Sequence, residues 1–224
     1  MEYKIENQPV FTTLKVQLNQ GETVRAESGA MVSMSPTLEL KAKKQGKGLG
    51  GMFKAAMGGE GMFVSEYTAV GGAGELVLAP PTIGDILSFD MTGQTIYAQS
   101  GAYIASSGEL ELSTKGSFKS MFSGEGLFLQ KITGTGTVFL SSYGAIFEKT
   151  MSPGETYIVD AGHMVAFEEN VTYTIKKAAK GFFSTIASGE GLVCHFTGQG
   201  KLWVQNRNLK GFASTLFKLM PRST

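Results

Sequence analysis

Apolar and polar residues alternate along this chain in short runs separated by glycines, and the same order of runs comes round three times. Gly21, Gly93 and Gly154 each open a run, and Gly29, Gly101 and Gly162 close it eight residues on. Between them Val24, Ile96 and Tyr157 match one another, as do Ala26, Ala98 and Val159. Period two puts alternate side chains on one face, so each run predicts a half-buried strand. Ala30-Met31-Val32, Ala102-Tyr103-Ile104 and His163-Met164-Val165 follow as short buried strands. Next come the alternating Leu38-Glu39-Leu40-Lys41-Ala42, Leu110-Glu111-Leu112-Ser113-Thr114 and Val171-Thr172-Tyr173-Thr174-Ile175, each expected to show one face to the core.

A glutamate turn then precedes Met62-Phe63-Val64, Leu127-Phe128-Leu129 and Leu192-Val193-Cys194. Gly74, Gly136 and Gly200 introduce the last runs, Leu76-Val77-Leu78, Val138-Phe139-Leu140 and Leu202-Trp203-Val204. The turn residues Glu60, Glu125 and Glu190 stand 65 residues apart in both intervals. A period of that length marks one supersecondary unit used repeatedly. Five or six short strands per unit with glycine turns predict an all-β sandwich or barrel architecture. The units run approximately 10–80, 81–141 and 142–206, followed by a tail over 207–224. Together they predict a single body with pseudo-threefold symmetry, each copy covering an edge its neighbour would expose.

Before each glutamate turn the copies differ in length, and charge gathers there. The inserts 41–57, 115–122 and 176–186 hold ten of the 20 Lys and Arg residues and no acid. Lysine stems can lie on apolar surface while their ammonium groups reach an anionic partner. The candidate interaction face is therefore Lys43, Lys44, Lys47, Phe53, Lys54, Phe118, Lys119, Phe122, Lys177, Lys180, Phe182 and Phe183. The competing interpretation is that the phenylalanines plug the barrel ends beside solvated lysines. Short amphipathic helices are expected in the inserts. Another is expected over 210–220, where Phe212, Leu216 and Leu219 have helical spacing before Pro221.

A formal net charge of +1 and 17% charged residues leave no overall excess for nucleic-acid binding, so any basic patch is local. Cys194 is the only cysteine, which excludes an internal disulfide. The first residues carry no signal-like or transit-like pattern, and no window approaches the roughly 18 apolar residues of a spanning helix. The expectation is a soluble cytoplasmic protein.

Candidate chemistry is sparse. Gly46-Lys47-Gly48-Leu49-Gly50-Gly51 has dinucleotide-loop spacing but no βαβ context. Glu60, Glu125 and Glu190 could ring a cation on a threefold axis, or each could accept backbone N–H bonds in its own turn; recurrence in every copy favours the structural turn. His163 and His195 are the only imidazoles, and Cys194-His195 as strand neighbours point to opposite faces, against a shared metal. No G-x-S-x-G elbow is present. Cys194 and Trp203 occupy apolar slots and are expected in the core. No catalytic residue, cofactor or metal is expected.

The recurring Gly/Lys/Phe segment, Gly-Glu turn and Phe-bearing strand, best seen from Gly50-Gly51-Met52-Phe53-Lys54 through Gly59-Glu60-Gly61-Met62-Phe63 to Gly71-Gly72-Ala73-Gly74, resemble the altered-inheritance-of-mitochondria 24 family. The resemblance spans nearly the whole chain. It implies three double-stranded β-helix units similar to the tryptophan RNA-binding attenuation protein, and no catalytic residues. Eukaryotic relatives are associated with the mitochondrial inner membrane. The expected function is a non-enzymatic scaffold or interaction protein, meeting a protein partner, another copy of itself or an anionic membrane surface through the inserts. The alternative is a nucleic-acid or small-ligand binder, by analogy with the attenuation protein.

Overall fold

The computed structural model describes residues 1–44, 63–115, 129–178 and 192–220. Nearly all of the regular structure is antiparallel β, and it falls into two compact units. One comprises Met1–Thr92, Tyr103–Leu110 and Gly134–Ser141; the other comprises Gly93–Ala102, Glu111–Thr133 and Ser142–Thr224.

The first unit opens with β1 (Glu2–Glu6), β2 (Thr13–Leu18), β3 (Thr23–Glu27) and β4 (Met31–Met34). It continues with β5 (Leu38–Lys44), β6 (Phe63–Ala69), β7 (Gly74–Leu78) and β8 (Ile86–Thr92). Four of these form a sheet in the order β1-β2-β7-β4. In another layer β6 lies between β3 and β5, with Val24 opposite Tyr67 and Leu40 opposite Tyr67 on the other side. The predicted alternation places Val24, Ala26, Leu76 and Leu78 in one core, together with Leu14 and Val16 of β2, Ile104 and Phe139. Strand β1 lies outside the repeating pattern and was not anticipated from it; it pairs along β2 from Glu2↔Gln17 to Glu6↔Thr13.

The middle of the chain departs from the expected short strands. Tyr103–Lys115 is one strand, β10, and Leu129–Ser141 is another, β11. Glycines take the place of the expected breaks. Gly108, Gly134 and Gly136 have φ of +81°, +110° and +148°, and a Cβ at Gly136 would lie 2.1 Å from the Ser107 carbonyl oxygen. The chain stays in the ladder there, because only glycine permits so close a backbone approach.

The second unit holds β9 (Ile96–Gln99), β12 (Ile146–Met151), β13 (Thr156–Asp160), a 3-10 turn (Ala161–His163), β14 (Met164–Glu168), β15 (Val171–Lys177), β16 (Leu192–Gly198) and β17 (Gly200–Gln205). One sheet runs β12-β17-β14-β9 and on to the first residues of β11; a smaller one runs β13-β16-β15. Its core is aromatic, with the Phe196 ring 5.5 Å from Phe167 and 5.8 Å from Tyr173. Cys194 and Trp203 are buried, as their apolar slots required.

One expected face is shorter than the alternation implied. Leu38 and Val171 are buried at the starts of β5 and β15, whereas Leu40 and Ile175 further along are exposed. Both are outer strands that run on as arms, β5 on β6 to Lys44↔Phe63 with β3 reaching Val64 on the other side, and β15 on β16 to Lys177↔Leu192 with β13 reaching Val193. Beyond each arm the chain returns after different lengths of sequence, yet each ladder is in continuous register.

The predicted terminal helix is α1 (Leu209–Leu219). Asn208 caps it, its side-chain oxygen accepting from the N–H groups of Lys210 and Gly211, which satisfies donors no helical carbonyl can reach. The expected insert helices lie outside the described residues.

Candidate interaction surfaces

Lysines mark the arm tips because β5, β10 and β15 run past the core into the inserts. Lys43 sits opposite Val64 and Lys44 opposite Phe63 in the β5–β6 ladder. Lys176 faces Val193 and Lys177 faces Leu192 in the β15–β16 ladder, and both side chains are exposed. Strand β10 ends on Lys115, so the three strands share a terminal lysine that the sequence-level candidates included only in part. Nearer the core, Lys41 is paired with Glu39 at 3.3 Å on the same strand. Lys47, Phe53, Lys54, Phe118, Lys119, Phe122, Lys180, Phe182 and Phe183 lie outside the described residues, as do Glu60, Glu125 and Glu190. The arms belong to separate units, β5 to the first and β15 to the second.

A second surface escaped the sequence reading. Met31 and Val32 of β4, expected to be buried, are exposed, and so are Met34 on the same strand and Ile158 of β13. Among the described residues β4 pairs only with β7 and β13 only with β16, leaving one side of each strand open. Its signal is the apolar run itself, which gives no hint of whether a neighbour arrives.

A third is α1, where Leu209, Phe212, Leu216, Phe217 and Leu219 are exposed and no residue is buried. The Phe212 ring lies 5.9 Å from Tyr143.

Reactive side chains are occupied with structure. Burial pushes the Cys194 thiol up to about 12, with the nearby Asp160 charge adding to the shift. Burial likewise raises the Tyr103 phenol to about 12, although its hydroxyl lies 2.8 Å from Ser106 Oγ and donates to the Arg25 carbonyl. Both groups are neutral at ordinary pH. His163 Nδ1 lies 2.8 Å from the Gln205 carbonyl oxygen, and Gln205 Nε2 in turn donates to the Gly162 carbonyl, so this imidazole fastens the 3-10 turn to β17. Among the described residues no three His, Cys, Asp or Glu side chains gather as a metal site. No helix among them is long and apolar enough to cross a membrane.

These features define a mostly β protein whose outward chemistry lies at arm tips, open strand edges and an exposed helix. The chain belongs to the AIM24 family, described as mitochondrial biogenesis AIM24, whose model matches residues 3–207. It is 30% identical over 233 residues to an uncharacterised protein of Streptococcus pyogenes serotype M6, the match covering 100% of this chain and 93% of that protein. It is also similar to the crystal structure of another Streptococcus pyogenes protein, with a TM-score of 0.81, 30% identity and coverage of 98% of this chain and 99% of the other.

Proposed function

We propose that this protein is a non-catalytic scaffold of three pseudo-equivalent β units, built like the attenuation protein around a pseudo-threefold axis, whose lysine-tipped arms meet an anionic surface. The observation that carries it is a recurring pairing plan. In the first copy β2 and β4 flank β7 while β3 and β5 flank β6. In the last, β12 and β14 flank β17 while β13 and β15 flank β16. The middle copy keeps the plan with β11 in both central roles, β8 on its second half and β9 on its first. Even the irregularities recur: the β4–β7 register shifts between Met31 and Ser33, and the β14–β17 register between the corresponding Met164 and Ala166. Bulges are built features rather than accidents, so a shared one supports common construction.

What repeats is packing, and what the copies add to it is the basic insert at each arm. On this reading the protein is cytoplasmic and peripheral to a membrane, each lysine near the headgroups contributing about 1 kcal/mol. Co-sedimentation tests it: anionic liposomes should pull the protein down at low salt, less as salt rises, and less again for the combined Lys43, Lys44, Lys177 and Lys180→Gln variant. Neutral liposomes should bind little. Failure with both liposome types sinks the membrane role, and binding of mixed RNA or DNA pools at low salt instead would replace it with the nucleic-acid reading.

A further inference from the structure

The pairings between copies obey one rule. Strand β14 of the last copy meets β9 of the middle copy through Ala166↔Ala98 and Phe167↔Tyr97, the two rings stacked at 5.3 Å. Strand β10 of the middle copy meets β3 of the first through Ala105↔Ala26 and Ser106↔Arg25. These are corresponding residues: Ala105 and Ala166 share a place in their copies, and so do Ala26 and Ala98. In each case the strand after the second glycine of one copy pairs antiparallel with the strand before that glycine of the preceding copy.

Two strands remain without that partner among the described residues, β4 of the first copy and β13 of the last. The cost is visible in exposure. Met31, Val32 and Met34 are 40%, 59% and 38% exposed, whereas their counterparts Met164, Val165 and Phe167 are 0%, 1% and 3%. On β13, Ile158 is 56% exposed. The open side of β4 is also a hydrogen-bonding edge. The Ser35 N–H donates to the Glu75 carbonyl at 2.9 Å, so by strand alternation Met34 turns its N–H and C=O away from β7.

We infer that β4 of one chain pairs with β13 of a second copy of the same chain, in the register Ser33↔Val159 and Met34↔Ile158. The inference rests on the three-unit reading, since that reading supplies the register. It commits to a second copy because the open edge of β4 in the first copy is the counterpart of the open edge of β13 in the last, and the rule already joins such edges twice. The pairing buries Met34 against Ile158 and satisfies a row of backbone groups, the recognition used in strand addition. The two surfaces differ, so the contact is head-to-tail and generates a closed ring or, where rotation does not close, a filament.

Sedimentation velocity on the full chain tests this, with Met34→Lys and Ile158→Lys as edge-blocking variants at exposed positions and far-UV circular dichroism as the check on folding. Wild type should sediment as an oligomer and each variant as a single folded chain. Chains carrying Met34→Cys, mixed with chains carrying Ile158→Cys and treated with diamide, should give a disulfide-linked dimer that neither forms alone. Cys194 is buried and stays out of that chemistry. Wild type sedimenting as a single chain would overturn the assembly and leave the three-unit reading standing. An oligomer that survives both lysine variants without a crosslink would overturn the register, and the equivalence of the copies with it. A chain carrying both cysteines that crosslinks only within itself would also overturn the second copy as occupant.

Discussion

Strands β4 and β14 hold the same place beside β7 and β17, share a bulge and begin with the same Met-Val pair, yet one is exposed along its length and the other buried. The difference lies in their surroundings. Strand β14 has β17 on one side and β9 on the other, while β4 has β7 alone among the described residues. Burial of a strand is thus set by the neighbours that arrive, and a pattern of apolar residues records only what the strand is able to bury.

The strongest way to break the comparison is to truncate matched methionines. Met164→Ala removes a side chain with no exposed surface and should cost about 2–5 kcal/mol in urea unfolding. Met31→Ala, measured in the Met34→Lys background so that assembly does not contribute, should cost less than about 0.5 kcal/mol. Equal costs would mean that β4 is covered in solution by something within its own chain.

Glycines sharpen the same lesson. Gly154 and Gly198 both have positive φ, +79° and +116°, but a Cβ meets nothing within 4 Å at Gly154 and lies 2.2 Å from the Asn170 carbonyl oxygen at Gly198. Gly154→Ala should cost about 1–2 kcal/mol from backbone conformation alone. Gly198→Ala should cost distinctly more by thermal unfolding, because the opposing atom is backbone and cannot turn aside.

The smallest effect concerns pH. The Cys194 thiol and the Tyr103 phenol have folded values raised to about 12 from ordinary values of 9.0 and 10.0. Their stabilising contributions are complete below the unfolded values and are lost as pH rises towards 12, since the unfolded chain releases those protons first. Stability should therefore decline from about pH 9 upward. Cys194→Val, which installs the residue the first copy carries as Val64, should flatten the earlier part of that decline in alkaline urea titrations. An unchanged slope would show that the thiol is not held neutral by burial.

Much of the fold was legible where local pattern and tertiary demand agree. Alternation placed Val24 and Ala26, Ile96 and Ala98, and the runs that became β7 and β17, and helical spacing with Pro221 gave α1 to within a residue or two. It failed where a glycine had two uses. Gly136 read as a turn, but its small size lets β11 continue against β10, and only the opposing backbone reveals that. Strands β1, β2, β8 and β12 were missed because they precede Gly21, Gly93 and Gly154, the glycines from which the recurring runs were read. Of the candidate face, Lys43, Lys44 and Lys177, read as insert residues, stand at the ends of strands β5 and β15. The open edges of β4 and β13 were illegible, because Met31-Val32 and Met164-Val165 look alike until their neighbours are known.

The arms have one more consequence. Between Lys44 and Phe63, and between Lys177 and Leu192, the sequence runs to different lengths, while the ladders on either side keep their register. The same ladder plan thus goes with 18 intervening residues in one case and 14 in the other. Those points are the natural places to graft an epitope or a reporter peptide, and they are where a lineage could acquire a new binding sequence without rebuilding the strands that carry it.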